Sequence, residues 1–360
     1  GVRAGALTVR RIEDAVPSLE AVEELTQLSP DDPAWDSAQL RAAQMLYALF
    51  TERSGSERSE AGSQYLTVAL PLLAEDSELA SGDAAAAGRC MARARRVLEV
   101  ALDQDVLRLV AAEAALNAVR DRGAYPLEVP GGFEAELEYR KLQIALARDE
   151  IIDAERLGIE LLQQAYDELW TRLAARAIFR YSIDRWNEAG PVDDVREDLR
   201  RISEWGGRIL GEHASLESAI DSPGMLAVAA NVARAGLSRW EASGDAELGN
   251  RVWVIYGSLL DRHPKNQQFL RGRALLSPAM GDADEAMRCW RVVLAGTAAG
   301  SEPWFEARSH QIQLLLGEDP ERARQVLQQH RVLYPDWGPA PWGERMQRMF
   351  EQIEFGEGAP

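Results

Sequence analysis

Lysine, cysteine and long apolar runs are scarce in this sequence, and the last two scarcities argue against particular kinds of protein or site. Lys141 and Lys265 are the only lysines, so arginine supplies almost all of the positive charge. Cys90 and Cys289 are far apart and lack metal-ligand spacing, so we expect two small buried side chains and neither a disulfide nor a metal site. No apolar run approaches the roughly 18 residues of a membrane-spanning helix, which argues against direct membrane insertion.

The sequence also lacks an excess of basic residues over acidic ones. Its 360 residues carry a formal net charge of −18, which argues against nonspecific nucleic-acid binding because phosphate contacts need a basic surface. Anionic membranes are disfavoured for the same reason. The first methionine is Met45, which is compatible with removal of a leader. We therefore expect a soluble chain, and both a cytoplasmic and an exported location stay open.

Histidine is rare, and the motifs of common catalytic sites are missing. The four histidines form neither a His-x3-His nor a Glu-x-x-His pair, so we expect no zinc or di-iron site. Phosphate loops, nucleophile elbows and haem-attachment motifs are absent. The run Asp193-Asp194-Val195-Arg196-Glu197 superficially matches a magnesium motif, but it follows Gly190-Pro191, where acids commonly start a helix. We predict no metal, no cofactor and no enzymatic activity.

What is present is a helical composition with an internal repeat. Ala, Leu, Glu and Arg dominate, and strand-type alternation is nearly absent, so we predict an all-α fold. Val252-x3-Tyr256 precedes His263-Pro264, and 71 residues later Ala323-x3-Leu327 precedes Tyr334-Pro335. Between them, Ala286 precedes Trp290 by four residues and Ala323 by 37. A unit of about 34–37 residues predicts stacked helix pairs, because one such pair cannot bury its apolar face alone.

These small-x3-bulky positions and the prolines after them resemble the second half of the tetratricopeptide repeat (TPR) motif. The first half of the motif departs from the family. Its tryptophan position falls on Ala233, Leu270 and Ala307, and its glycine position on Leu237, Ala274 and Gln311. The resemblance is clearest over 224–350. It implies a right-handed α-solenoid whose first helices line a concave groove, and a noncatalytic scaffold that binds a protein or peptide there.

Two breaks suggest how the chain is divided. Residues 122–132 contain two prolines and three glycines, and we take them as the boundary between an irregular helical region, 1–125, and a repeat array, 132–355. The predicted helix pairs of the array include 225–243 with 246–262, 267–279 with 282–295, and 302–316 with 320–333, followed by a final helix near 342–353. Residues 55–63 are rich in Gly, Ser and Glu and predict a loop or hinge.

An arginine recurs at equivalent first-helix positions, namely Arg180, Arg234, Arg271 and Arg308, and the last three are 37 residues apart. In a groove, such a row suits a carboxylate-bearing or phosphorylated peptide, because guanidinium binds both groups bidentately. Phe305 and Ile312 are predicted as neighbouring groove contacts. The alternative is that these arginines pair with nearby acids on a heavily acidic surface.

Two other architectures remain open at this point. An acidic all-α chain of this length can close into an (α/α) toroid that cleaves carbohydrates, which requires two carboxylates facing each other across a cleft. It can also be a structural subunit of a larger assembly. Among the ten tryptophans, Trp186, Trp240 and Trp290 occupy predicted repeat-packing positions, whereas Trp337 and Trp342 are predicted to hold the terminal helix.

Overall fold

The computed structural model describes residues 16–80, 83–120, 133–163, 168–190 and 194–355. Within these ranges the regular secondary structure is helical and no strand is present, so the predicted all-α class is confirmed. The chain divides into two compact units, the first ending at Ala174 and the second beginning at Ala175. The boundary predicted at 122–132 lies outside the described residues.

From α1 to α7 each helix packs against the next one along the chain, and α3 also contacts α5. Its largest fully buried side chains include Leu46, Phe50, Leu73, Leu98 and Leu142. The helices are α1 Leu19–Thr26, α2 Trp35–Glu52, α3 Gly55–Leu79, α4 Ala84–Ala101, α5 Leu109–Arg120, α6 Phe133–Ala147 and α7 Ile151–Gln163, followed by the start of α8 Glu168–Glu188.

The loop or hinge predicted at 55–63 is wrong, because these residues form the first turns of α3. Gly62 is there for packing: a Cβ at this position would lie 2.8 Å from Val106 and 3.0 Å from Phe50. Arg58 covers the Phe50 ring at 4.6 Å and pairs with Asp103. The composition of 55–63 is typical of a turn, but here the glycine allows close packing within a helix. Helix α3 continues through Pro71 to Leu79.

The second unit continues from α8 with the regular helix pairs. Its helices are α9 Arg196–Gly211, α10 Leu216–Ile220, α11 Met225–Ser243, α12 Ala246–Arg262, α13 Gln267–Leu276, α14 Ala283–Gly296, α15 Glu302–Glu318, α16 Pro320–Leu333 and α17 Trp342–Phe355. From α11 to α17 each helix packs against its successor, and α11 also contacts α13, as α15 does α17.

Short polar side chains set where these helices begin. Asp245 accepts hydrogen bonds from the amides of Glu247 and Leu248 at the start of α12, and Asn266 does the same at the start of α13. Such caps satisfy amide donors that have no partner within the helix. Gly244, with φ of 67°, ends α11 in the left-handed conformation that glycine tolerates best. These local signals explain why the predicted bounds of α11 and α12 agree with the structure.

Burial follows the 37-residue register. Ala233, Leu270 and Ala307 are between 0% and 1% exposed, although they replace the tryptophan of the family motif. In the second helices, the small positions Val252, Ala286 and Ala323 and the bulky positions Tyr256, Trp290 and Leu327 are all buried. The predicted packing positions of the repeat are therefore core positions.

The terminal helix is held by aromatic side chains, as predicted for Trp337 and Trp342. Trp337 is buried and its ring lies 5.3 Å from Phe350 of α17. Gly338, with φ of 91°, presses on Phe305, since a Cβ there would lie 2.3 Å from the ring. Trp342 reaches the His310 ring at 5.6 Å.

Glycine in a first helix brings the second helix close. A Cβ on Gly272 would lie 2.2 Å from the Tyr256 ring, so we expect Gly272→Ala to lower the free energy of unfolding by about 1–3 kcal/mol through overpacking. Gly317 faces open space, and Gly317→Ala should leave stability unchanged or raise it by up to about 1 kcal/mol. Urea unfolding measures both. Equal stability of the two variants would contradict the close packing at Gly272.

Candidate partner-binding surface

The candidate surface lies in the second unit, on the helices that carry the predicted arginines. Arg180 is in α8, Arg234 in α11, Arg271 in α13 and Arg308 in α15. The four side chains have four different environments. Arg234 and Arg271 line one pocket together.

Arg234 lies over an aromatic ring and bonds to neutral partners. Its guanidinium carbon is 4.0 Å from the centre of the Trp186 ring in α8. Its Nη2 donates to Oδ1 of Asn187 at 3.2 Å and to Oδ1 of Asn231 at 3.3 Å. Within the described part of the chain it pairs with no carboxylate, so its charge is oriented but not neutralised.

Arg271 has a different role because it is paired. Its Nε donates to both carboxylate oxygens of Glu306 at 2.9 Å, and its Nη2 lies 2.8 Å from Oε1. Glu306 is only 7% exposed. The hydrogen bond to Glu306 raises the pKa of Arg271 above its ordinary value. At this position the alternative interpretation holds: the arginine satisfies a buried acid of the next first helix.

A pocket of about 290 Å³ lies between α11 and α13, with Arg234 and Arg271 on its wall. We call it the Arg234 pocket. Tyr256 of α12 also lines the pocket and is 4% exposed. This burial raises the pKa of its hydroxyl group. Asn231 and Gln268 add side-chain amides that can donate. The Arg234 pocket therefore offers an anion one unneutralised guanidinium and several neutral donors.

Arg308, Phe305 and Ile312 do not share this arrangement. Phe305 and Ile312 are 3% and 0% exposed and belong to the C-terminal core cluster. A partner cannot reach their side chains, so the prediction that they are groove contacts is wrong. Arg308 lies three residues after Phe305 and four before Ile312, on the same side of α15. It is half-buried, its Nε lacks a hydrogen-bond partner, and burial lowers its pKa.

Arg180 is exposed on α8. It is seven residues, or about two turns, before Asn187, and thus on the same side of that helix. No ion pair of Arg180 occurs among the residues that the structure describes. Whether Arg180 and the other arginines bind a partner stays a prediction.

At the other end of the surface, His310 is held neutral. Its ring stacks on Trp290 at 4.7 Å with 4° between the planes, and Nη1 of Arg345 lies 3.4 Å from its Nε2. Burial, together with the charges of Arg345 and Arg271, lowers the pKa of His310 to about 3. His310 can therefore accept a hydrogen bond from Arg345 at neutral pH, while Gln313 accepts another.

Sequence reasoning did not identify several residues of this surface. Trp186 was predicted as core, but it is half-buried and its ring face contacts Arg234. Trp290 is buried as predicted, at 1% exposure, and Trp240 is half-buried. Glu306 lies 35 residues after Arg271, close to one repeat period, and this spacing is the one sequence signal that could have identified the pair.

The groups usual in metal or thiol chemistry are engaged elsewhere. Asp194 accepts hydrogen bonds from Arg196, which lower its pKa to about 2, and Asp193 lies outside the described residues. No group of three or more potential metal ligands occurs in the ranges that the structure describes. Both cysteines are buried, as predicted, and burial raises the pKa of Cys289 to about 12.

Comparisons with known proteins do not add a family. No protein-family model matches the chain, and no curated protein matches it. The TPR resemblance therefore rests on the residues quoted above. Of the helices in the described ranges, none combines the length and the apolar character needed to cross a bilayer.

The different roles of Arg271 and Arg234 predict different effects on stability. Arg271→Gln removes the partner of a buried carboxylate, and we expect it to lower the free energy of unfolding by about 1–3 kcal/mol. Arg234→Gln removes a stacking contact and two hydrogen bonds to neutral amides at an exposed site, leaves no buried charge unpaired, and should cost less than about 1 kcal/mol. Urea unfolding at neutral pH compares them. Equal losses would mean that Glu306 does not depend on Arg271.

His310 predicts a loss of stability in acid. In the unfolded chain His310 takes up a proton near pH 6.5, whereas in the folded protein it does so only near pH 3. The free energy of unfolding therefore falls as the pH decreases between these values. We expect the urea midpoint to fall less between pH 7 and pH 5 in His310→Gln than in the wild type. The control is His263→Gln, at an exposed histidine. Identical pH profiles for the wild type and His310→Gln would contradict the buried neutral ring.

Proposed function

We propose that this chain is a noncatalytic interaction scaffold, a right-handed α-solenoid of TPR-like helix pairs that binds a protein or peptide partner. The partner segment is acidic, either rich in carboxylates or phosphorylated. Its contact is the Arg234 pocket, where the segment's anionic group meets Arg234 and the amides of Asn231 and Gln268. Arg271 supports the wall of the pocket through its bond to Glu306.

The observation that carries this proposal is the unneutralised charge of Arg234. In a protein of net charge −18, many arginines already bond to acids, but in the described ranges Arg234 bonds only to neutral groups, and it lies beside a pocket. Trp186 and two asparagines fix its position before any ligand arrives. Fixed donors lower the ordering cost of binding, which favours recognition of a flexible segment.

The solenoid arrangement is supported by which helices touch. From α11 to α17, each helix contacts the next one along the chain, and the first helix of one pair also contacts the first helix of the next pair, as α11 does α13. This is the pattern expected when each repeat contacts only the adjacent repeats. The shared burial of Ala233, Leu270 and Ala307 supports the 37-residue register.

The buried carboxylates support a structural rather than a catalytic role. Asp76 bonds to Arg89 and Arg93, Glu136 to Arg95, Asp198 to Arg185, and Glu306 to Arg271; each of these pairs joins two different helices. A glycoside-cleaving enzyme needs two carboxyl groups facing a substrate cleft. These four are instead buried and bonded to guanidinium groups of a neighbouring helix, so they favour the scaffold over the toroidal enzyme.

The test measures binding of fluorescently labelled peptides by anisotropy. A panel of 12-residue peptides contains Glu-rich, phosphoserine-containing, neutral and Lys-rich members. We expect acidic members to bind more tightly than neutral ones, and Arg234→Glu to weaken that binding at least tenfold, because it reverses the charge that meets the anion. Binding should also weaken as the salt concentration rises.

The control for charge is Arg291→Glu, at an exposed arginine of the second helix α14 that does not line the Arg234 pocket. It should leave affinity within about twofold. Arg271→Glu is not a suitable variant, because it also breaks the ion pair with Glu306. A weaker binding could then come from an unstable fold and not from the lost charge. The proposal fails if acidic and neutral peptides bind alike, or if both variants weaken binding equally.

A further inference from the structure

A second pocket, larger than the Arg234 pocket, lies between α9 and α12 over one side of α11. Its volume is about 570 Å³, which is within the usual range for small-molecule sites. Its base is aliphatic: Val232, Leu248 and Val252 are 2–6% exposed, and Ile255 is half-buried beside them. Buried apolar side chains at the base of an open pocket offer a water-excluding seat for an apolar group.

Three arginines line the same pocket, one from each of its three helices. They are Arg208 of α9, Arg239 of α11 and Arg251 of α12. Within the described ranges neither Arg208 nor Arg239 bonds to a carboxylate, and Arg251 has only an exposed contact with Glu247 at 4.0 Å. The one acid that lines the pocket, Glu204, accepts a hydrogen bond from Arg200 at 2.7 Å. The rim of the pocket is therefore cationic on a strongly acidic protein.

The helix faces explain why the gap exists. Leu248, Arg251, Val252 and Ile255 are spaced i, i+3, i+4, i+7 and form one side of α12. On the opposite wall, α9 presents Gly207, where an added Cβ would meet nothing within 4 Å. Gly236 lets Val252 sit against α11, since a Cβ there would lie 2.4 Å from the valine. The missing side chain at Gly207 of α9 and the close packing of α12 on α11 together leave the pocket unfilled.

We propose that this pocket binds a small amphipathic anion, with a carboxylate, sulfonate or phosphate head at the arginines and an aliphatic or aromatic body on the aliphatic base. Guanidinium groups from three helices suit a head that accepts several hydrogen bonds. Val232, Leu248 and Val252 suit the body through burial of apolar area. A volume of about 570 Å³ with an apolar base and a cationic rim suits a small ligand that carries both an apolar body and an anionic head.

The site is separate from the proposed peptide contact. Asn231, Arg234 and Leu237 of α11 line the Arg234 pocket, whereas Val232, Gly236 and Arg239 line this one. At 100° per residue, the two sets point about 180° apart around the helix. Substitutions in one pocket therefore need not touch the other, and either proposal can fail alone.

The experiment uses the whole chain and 1-anilinonaphthalene-8-sulfonate, a fluorescent amphipathic anion. We expect saturable binding of one probe, weakened at least tenfold by Gly207→Leu, which fills the pocket, and by the double substitution of Arg239 and Arg251 to Gln. The matched control is Gly211→Leu, one turn further along α9, where an added Cβ also meets open space. It should change the affinity less than about twofold.

Competition identifies the chemistry of the ligand. Decanoate and decyl phosphate should displace the probe at concentrations at least tenfold lower than 1-decanol, because only they carry a head for the arginines. The proposal is overturned if no saturable binding occurs, if Gly207→Leu and Gly211→Leu bind alike, or if decanol competes as well as the anions. Displacement by hexaglutamate as effective as by decanoate would assign the pocket to an acidic peptide instead.

Discussion

Carboxylates buried between two helices and bonded to arginine recur in both units, and they constrain how the apolar helix faces can pack. Asp76 and Glu136 have this role in the first unit, and Asp198 and Glu306 in the second. Such pairs contribute little net energy compared with apolar packing, but an unpaired member is costly, so they penalise helices that pack out of register. Because arginine is almost the only cation, it supplies both the partners of these buried acids and the basic groups of the proposed binding sites. Among the residues that the structure describes, Arg234, Arg208 and Arg239 bond to no acid, and these are the arginines on which the two binding proposals rest.

Helix bounds could be predicted where a local signal decides them. The cap residues Asp245 and Asn266 and the left-handed Gly244 lie within a few residues of the ends they define, and the predicted bounds of α11 and α12 agree with the structure. The hinge predicted at 55–63 failed because its glycine serves a contact with Phe50 and Val106, and Val106 is distant in sequence. Local composition cannot show which residue a glycine makes room for.

The candidate site could be predicted only in part, for a related reason. The 37-residue spacing located Arg234 and Arg271, but their roles are set by neighbours about one repeat or more away: Asn187, 47 residues before Arg234, and Glu306, 35 residues after Arg271. Phe305 and Ile312 were expected in the groove because they flank an arginine of the row. They face the core instead, since the side of α15 that Arg308 occupies packs against aromatic residues of the C-terminal cluster. A repeat register fixes equivalent positions, but not the environment of each.

The neutral ring of His310 and the predominance of guanidinium have a consequence for how this surface responds to its surroundings. Guanidinium stays charged at any pH a cell experiences, and His310, which takes up a proton only near pH 3, stays uncharged. The basic groups of the surface therefore do not titrate in the physiological range. If the proposed anionic ligands bind here, acid-base control of that binding comes from the ligand, through the ionisation of its own phosphate or carboxyl group.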